Sequence, residues 1–267
     1  MKIYNSIKNY YDYDAPFYEH KRWHKDNVAR ANHEMTKNAL LHVLSPRNND
    51  TILEIGCGAG TWTALVAQNC GKIIAIDLSE KMILEAKKNV KQNNVKFIQT
   101  DFIGSDIEMM FDRIFSVRVF EHIVQKEMAL NKIYDLLKPG GEIVVITKTF
   151  PSIWNGRTTI NKIIHGLFGA KRQSLDLPEE IKKTFWVKPI SPWRLANQMK
   201  RSNFKNVAVY PVILRPPIFV NGENEYPLIP SSKDKRLLDW FTILSKRVLD
   251  APNFVRALLT VFSESYL

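Results

Sequence analysis

The stretch Ile52-Leu53-Glu54-Ile55-Gly56-Cys57-Gly58-Ala59-Gly60 decides the fold of this 267-residue chain. Its first four residues predict a short buried strand, and a helix is predicted to begin near Thr61. The three glycines allow backbone conformations that are closed to residues with a Cβ, and they leave room for a ligand against the main chain. The N-terminus of the following helix offers unpaired N–H groups and the positive end of a dipole. A ligand-binding turn between a strand and a helix is therefore predicted here.

The spacing of these glycines distinguishes between two kinds of nucleotide ligand. A dinucleotide fingerprint, G-x-G-x-x-G, would place its third glycine at position 61, where this chain has Thr61. Glu54 also ends the strand, and a carboxylate there is unfavourable beside a pyrophosphate but suits an ammonium and a sulfonium group. The stretch therefore favours S-adenosylmethionine over NAD.

Strands and helices continue to alternate after this turn. The later segments are the strand Ile73–Asp77 ending in an acid, the strand Val95–Gln99 followed by Thr100-Asp101-Phe102, the strand from Phe111 that leads to Phe120-Glu121-His122-Ile123, and the turn Lys138-Pro139-Gly140-Gly141 before Ile143–Ile146. Their continuous apolar runs are typical of parallel strands that are covered on both faces. The pattern predicts an α/β fold with a doubly wound, mainly parallel sheet.

In this order the segments resemble the class I S-adenosylmethionine-dependent methyltransferases. The Glu121-His122 pair and the run Asp77–Met82 point most closely to the small-molecule branch that includes the ubiquinone and menaquinone biosynthesis methyltransferases. The resemblance implies a seven-stranded Rossmann-like sheet whose last two strands form an antiparallel edge. We expect these strands at Val207–Leu214 and Leu259–Leu267.

The resemblance also implies how the cofactor is bound. In the family the acid at Asp77 binds both ribose hydroxyls, Asp101 and Phe102 form the adenine-binding corner, and Met82 presses against the adenine. The expected cofactor-binding residues are Glu54, Gly56, Cys57, Gly58, Gly60, Asp77, Leu78, Met82, Asp101, Phe102 and Val117. Cys57 is interpreted as a small residue that fills a tight turn, not as a nucleophile. The expected product is S-adenosylhomocysteine.

His122 is the candidate catalytic base. It follows the fourth predicted strand, near the expected methyl position, and imidazole titrates near neutral pH. A histidine that caps a helix or packs in the core is the competing interpretation. Metal-assisted members of the branch carry a carboxylate three positions before the glutamate, where this chain has the cation Arg118. We therefore expect no metal.

Two regions outside the core bear on the acceptor. Residues 1–45 are rich in aromatic side chains and are predicted to form one or two helices that cover the cofactor as a lid, before the methyltransferase domain at 46–267. Tyr11, Tyr18, Arg22 and Trp23 are candidates to line the site. The alternative is that these rings only pack on the core.

The second region is an insertion at residues 150–188, with an apolar helical stripe from Thr159 to Phe168. Between Arg157 and Lys205 there are 11 Lys and Arg against 3 Asp and Glu. This charge is either a solvated face or a surface for an anionic lipid, a phosphorylated metabolite or RNA. We expect the insertion to select the acceptor, and peripheral contact with an anionic membrane is one of its alternatives.

Composition leaves three functions open. A net charge of +11 is compatible with a tRNA methyltransferase, although no appended RNA-binding motif is found, so nucleic acid is the less favoured partner. A non-catalytic module that binds S-adenosylmethionine is another alternative. The favoured prediction is an enzyme that methylates a small or lipid-like acceptor, with oxygen as the favoured methyl-accepting atom.

Cysteine content and the N-terminal sequence predict the cellular location. Two cysteines form no disulfide framework, and the N-terminus has no signal-peptide core. We therefore expect a cytoplasmic protein, with peripheral contact to a membrane as an alternative.

Overall fold

The computed structural model describes residues 2–148, 190–214, 235–263 and 265–267. Within these residues a central sheet is covered by helices on both faces. The predicted insertion at 150–188, with its helix Thr159–Phe168 and the cations Lys162, Lys171 and Arg172, lies outside the described residues.

The sheet confirms the predicted doubly wound architecture. Its strands are β1 (Thr51–Ile55), β2 (Lys72–Asp77), β3 (Val95–Gln99), β4 (Phe111–Val117), β5 (Leu137–Lys148) and β6 (Ser265–Tyr266). The strand order is β3-β2-β1-β4-β5-β6, and every pair is parallel except β5 with β6. The order reverses between β1 and β4, and in such sheets ligands bind beyond the carboxyl ends of the strands at that point.

The helices are assigned to the chain as follows. They are α1 (Lys2–Glu19), a π-helical turn (His20–His24), α2 (Asn27–Leu44), α3 (Thr61–Val66), α4 (Glu80–Asn89), α5 (Lys126–Leu136), α6 (Pro192–Arg201), α7 (Lys235–Val248) and α8 (Asn253–Thr260). The predicted N-terminal helices are confirmed. Ser79 caps α4 by accepting a hydrogen bond from the Met82 N–H, and Ser191 caps α6 by accepting one from the Arg194 N–H.

Alternate residues of the strands pack into two separate apolar layers. Ile52 of β1 lies in a cluster with side chains of α2, α3, α4 and α7, whereas its neighbour Leu53 packs with side chains of α5 and α6. This alternation follows from the period of two in a β-strand. Both faces of the inner strands are buried, so apolar residues occupy adjacent positions there, as at Ile52-Leu53 of β1 and Ile73-Ile74 of β2. This pattern is why these strands could be recognised in the sequence.

The predicted seventh strand is not formed in the described residues, where the sheet has six strands. The segment Val207–Leu214 makes only an isolated bridge, from Pro211 to Tyr266, although Tyr210 and Val212 form main-chain hydrogen bonds alongside β6. Proline has no N–H to donate, so position 211 cannot pair with a further strand on the side that faces away from β6.

The last strand is also shorter than predicted. Residues up to Thr260 belong to α8, and β6 covers only Ser265–Tyr266. The sequence signal for the helix was the exposed stripe Phe254, Leu258 and Phe262, at a spacing of four residues. In the described part of the chain, no helix has both the length and the apolar character that a bilayer crossing requires.

Candidate active site

The turn after β1 has the conformation that its glycines require. Gly56 has φ +73° and Gly58 has φ +52°, and the N–H groups of Gly56 and Cys57 both donate to the Ile76 carbonyl. A Cβ on Gly56 would lie 2.2 Å from Cγ2 of Val119. A side chain at this position would therefore clash as well as strain the backbone.

A cavity of about 820 Å³, counting the space at its mouth, opens at the carboxyl ends of β1, β2 and β4. The predicted site residues that line it are Gly56, Gly58, Asp77, Leu78, Asp101, Phe102, Val117 and His122. Helix α1 forms the opposite wall. The structure therefore brings most of the predicted residues to one cavity.

Asp77 lies at the centre of the cofactor side of this cavity. Its carboxylate accepts hydrogen bonds from the Gly58 N–H at 2.8 Å and from the Ser79 N–H at 2.9 Å. Burial raises the pKa of Asp77 to about 6, although these N–H groups act in the opposite direction. Asp77 thus joins the glycine turn to the start of α4 and still faces the cavity.

Glu54, a predicted cofactor ligand, does not line the cavity. It is buried at the end of β1 and accepts a hydrogen bond from Oγ1 of Thr63 at 2.5 Å. Burial raises its pKa to about 8, the Thr63 bond lowers it, and the charge of Asp77 raises it further. The carboxyl group therefore holds α3 against β1 and is mainly protonated at neutral pH, which the sequence-based charge argument did not anticipate.

Three other predicted residues lie behind the cavity wall. Gly60 is the N-cap of α3, and Met82 is buried in a small cluster with Ala15 and Ala59. Cys57 is also buried, and burial raises its thiol pKa well above the usual value, with the charges of Asp77 and Glu54 acting in the same direction. A protonated thiol agrees with a space-filling role for Cys57.

Helix α1 contributes residues that the sequence analysis missed or left open. Tyr4, Tyr11 and Tyr18 all line the cavity, together with Ile7 and Lys8. The tyrosines are seven residues apart, a spacing that places them on one helix face and that could have revealed this wall. Trp23 packs edge to face on Trp62 in the core, with Arg22 over its ring.

Two acids of α1 fix it to the core. Asp12 accepts a hydrogen bond from the Ser79 hydroxyl at 2.5 Å, at the start of α4. Glu19 accepts one from the Thr61 hydroxyl, at the start of α3. Negative side chains are favourable at helix N-termini. The helix is thus held across the cavity at two points.

His122 faces this helix. Its Nε2 lies 2.8 Å from the Tyr11 hydroxyl, and the two rings meet edge to face with centroids 5.5 Å apart. Burial raises the pKa of Tyr11 well above its usual value, and the charge of Glu121 acts in the same direction while that of Arg22 opposes it. Tyr11 therefore keeps its proton at neutral pH.

A buried ion pair lies beside His122. Nε of Arg118 donates to Oε1 of Glu121 at 2.8 Å, and the Thr147 hydroxyl donates to the other carboxylate oxygen at 2.7 Å. Burial acts to raise the pKa of Glu121, but the charges of Arg118, His122 and Lys148 lower it to about 2. Arg118 was considered in the sequence only as evidence against a metal. Among the described residues no group of His, Cys, Asp and Glu could hold a metal ion.

Comparison with known proteins identifies the domain that carries this cavity. Residues 52–141 match a family model described as a methyltransferase domain. The chain carries an S-adenosylmethionine-dependent methyltransferase domain. The match spans the glycine turn and strands β1 to β4, so the methyltransferase domain includes Asp77 and His122.

Curated relatives of the methyltransferase domain act on different acceptors. A malonyl-[acyl-carrier protein] O-methyltransferase of Priestia megaterium is 35% identical over 47% of this chain and 44% of its own length. A demethylmenaquinone methyltransferase of Lactococcus lactis is 27% identical over 57% of this chain and 60% of its own length. The chain thus spans about half the length of the curated relatives it matches.

Solved structures agree on the fold. A complex of DhpI with SAH superposes with a TM-score of 0.56 at 20% identity, covering 75% of this chain and 87% of that chain. The methyltransferase fold is therefore found in this chain beyond the residues matched by the family model. At this identity the likeness concerns the fold alone.

Proposed function

We propose that the chain transfers the methyl group of S-adenosylmethionine to an oxygen of a small or lipid-like acceptor. The single observation that supports this most is that one cavity is lined both by Asp77, at the end of β2, and by His122, in the segment that follows β4. The first position suits the cofactor and the second suits an acceptor. Both lie at the edge of the sheet where the strand order reverses.

The cofactor is proposed to lie along the turn after β1. Asp77 accepts the ribose hydroxyls, since its carboxylate has oxygen lone pairs left beside the two N–H groups that it already accepts. Gly58 allows the amino-acid part to approach the main chain. Asp101 and Phe102, after β3, line the cavity where the adenine would lie.

The sulfonium methyl group is itself electrophilic, so the protein has mainly to align the acceptor and remove its proton. We assign proton removal to His122. Its Nε2 is bonded to the hydroxyl of Tyr11, which orients the imidazole ring. An acceptor hydroxyl must reach the same nitrogen, either by displacing the phenol or by passing its proton through it.

Helix α1 is proposed to act as the lid. It covers the cavity with Tyr4, Tyr11 and Tyr18, and it is fixed to α3 and α4 by Glu19 and Asp12. Excluding water strengthens the electrostatic interactions within a site.

The role of residues 150–188 in selecting an acceptor or in contacting an anionic membrane stays a prediction.

The relatives support an acceptor of this class, since one acts on malonyl-[acyl-carrier protein] and another on demethylmenaquinone.

Calorimetry of cofactor binding gives the first test. The wild type should bind S-adenosylmethionine and S-adenosylhomocysteine but not NAD. Hydrogen bonds to a charged group contribute about 1.5–3 kcal/mol, so Asp77→Ala should bind at least about tenfold more weakly. Unchanged affinity in this variant would remove Asp77 from the cofactor site.

A further inference from the structure

Arg118 is a buried cation that lines the cavity on the acceptor side. Its residue exposure is only 7%, and it follows directly after β4, four residues before His122. Its backbone has φ +65°, and its N–H donates to the Ile146 carbonyl at 2.7 Å. A non-glycine residue in the left-handed region is uncommon and is strained unless its surroundings hold it. The fold thus fixes this side chain in an unfavourable backbone conformation.

The guanidinium group is only partly used by the protein. Nε donates to Glu121 at 2.8 Å, and Nη1 approaches the Ser265 hydroxyl at 3.4 Å. In the described part of the chain, Nη2 takes part in no hydrogen bond. A guanidinium carries five N–H donors in one plane. Donors therefore remain available to a group inside the cavity.

Charges are distributed unevenly along the cavity. Asp77 and Asp101 line the cofactor side. On the acceptor side, burial raises the pKa of Tyr18 and the charges of Arg22 and Arg118 oppose that rise. Lys148 similarly acts on Glu121. Arg118 and Lys148 thus act on the carboxylate of Glu121, and Arg22 and Arg118 act on Tyr18, at the end of the cavity where His122 lies.

We propose that Arg118 binds an oxyanion of the acceptor, a carboxylate or a phosphate, and so holds the acceptor beside His122. This inference rests on the proposed function and narrows its substrate class to anionic molecules. Planar, paired N–H donors match the oxygens of a carboxylate or a phosphate. Because Nε of Arg118 is bonded to Glu121, the two Nη atoms of the guanidinium group are the donors left for the acceptor. An arginine that served only to pair with Glu121 would have no need to line the cavity.

The test measures the binding of two probe anions, acetate and inorganic phosphate, by calorimetry. The protein is first saturated with S-adenosylhomocysteine, and ionic strength is kept constant with chloride. The variants are Arg118→Lys and the double change Arg118→Gln with Glu121→Gln, which leaves no buried charge unpaired. A matched control is the double change Arg113→Gln with Asp50→Asn, since Arg113 is another buried arginine, within β4, whose Nε donates to Asp50 at 2.6 Å. Arg113 does not line the cavity.

We expect saturable binding of at least one probe by the wild type, and the better probe distinguishes a carboxylate from a phosphate. Binding should weaken at least about tenfold in the Arg118/Glu121 double variant and less in Arg118→Lys, which keeps the charge but not the planar donors. The control should bind like the wild type.

Three results overturn the inference. One is a wild type that binds neither anion saturably. Another is a double variant that binds S-adenosylhomocysteine normally and also keeps its anion affinity. The third is an Arg113 control that loses anion binding to the same extent, since the loss would then not be specific to Arg118. Failure of the wild type to bind S-adenosylhomocysteine at all would contradict the proposed function itself and is seen in a separate titration.

Discussion

The Tyr11 hydroxyl and Nε2 of His122 lie 2.8 Å apart, although the two residues are separated by 111 positions in the sequence. This hydrogen bond joins helix α1 to the segment that follows β4. It places a phenol of the proposed lid against the proposed base. One hydrogen bond therefore links the position of helix α1 to the orientation of the His122 imidazole ring.

The role of His122 as a base gives the first prediction. His122→Ala should lower kcat by about 10²-fold or more if proton removal limits turnover, while the affinity for S-adenosylhomocysteine stays nearly unchanged. Steady-state kinetics with the acceptor, together with calorimetry, separate the two quantities. Turnover at the wild-type rate would leave alignment alone to explain catalysis.

Tyr11 gives the second prediction, since it orients His122 without being the base. Tyr11→Phe keeps the ring contact and removes only the hydroxyl, so kcat should fall by about tenfold. Combined with His122→Ala, it should cause little further loss, because residues in one hydrogen-bonded pair are not additive. Fully additive losses in this cycle would show that the two residues act independently.

The third prediction concerns the pH dependence of cofactor binding. The folded-state pKa of Asp77 is about 6, and only the ionised carboxylate can accept both ribose hydroxyls. Affinity for S-adenosylhomocysteine should be constant above this pKa and fall by up to about tenfold per pH unit below it. Asp77→Asn is the matched control and should show weak binding without this dependence. The same pH profile in both proteins would assign the titration to another group.

Glu54 gives the fourth prediction, which concerns stability. Its pKa is raised from the ordinary glutamate value of 4.5 to about 8 in the folded chain, so folding favours the protonated form. The stability that it contributes is present below about pH 4.5 and is lost as the pH rises through about 8. The free energy of unfolding of Glu54→Gln, relative to wild type, should therefore rise between pH 6 and 8, by at most about 1.4 kcal/mol per pH unit. Urea unfolding at several pH values measures it, and parallel curves would contradict this assignment.

The hydrogen bond between Asp12 of α1 and Ser79 gives the fifth prediction. Asp12→Asn removes the charge that the Ser79 hydroxyl and the Lys8 ammonium group bind, so the lid should open more often. We expect bound S-adenosylhomocysteine to dissociate severalfold faster in stopped-flow measurements. Glu85→Gln, which changes a surface carboxylate paired with Lys88, is the control and should dissociate like the wild type. Equal dissociation rates in the Asp12 variant and the wild type would show that this contact does not hold the lid.

Local patterns made much of this molecule predictable. The glycine turn, the strand that ends at Asp77 and the helix starts at Ser79 and Ser191 each depend on a few neighbouring residues. The inner strands were equally clear, because their apolar residues pack on both faces of the sheet. Such features are readable from the sequence because neighbouring residues alone determine them.

Features that depend on distant residues were not predictable. The bond between Tyr11 and His122 and the pairing of Glu54 with Thr63 follow from how helices pack on the sheet. Likewise, the apolar residues of 207–214 favour a strand, but in the fold this segment forms only an isolated bridge to the short strand β6. The unused donor of Arg118 could be seen only once its partners were known.

Transfer of a labelled methyl group shows directly whether this chain methylates a small or lipid-like acceptor. Wild type, Asp77→Ala and His122→Ala are each incubated with methyl-labelled S-adenosylmethionine and a cell extract separated into small-molecule, lipid and RNA fractions. Wild type should label the small-molecule or lipid fraction, and both variants should label it far less. Label that enters RNA alone, or label that is equal for all three proteins, would contradict the proposed function.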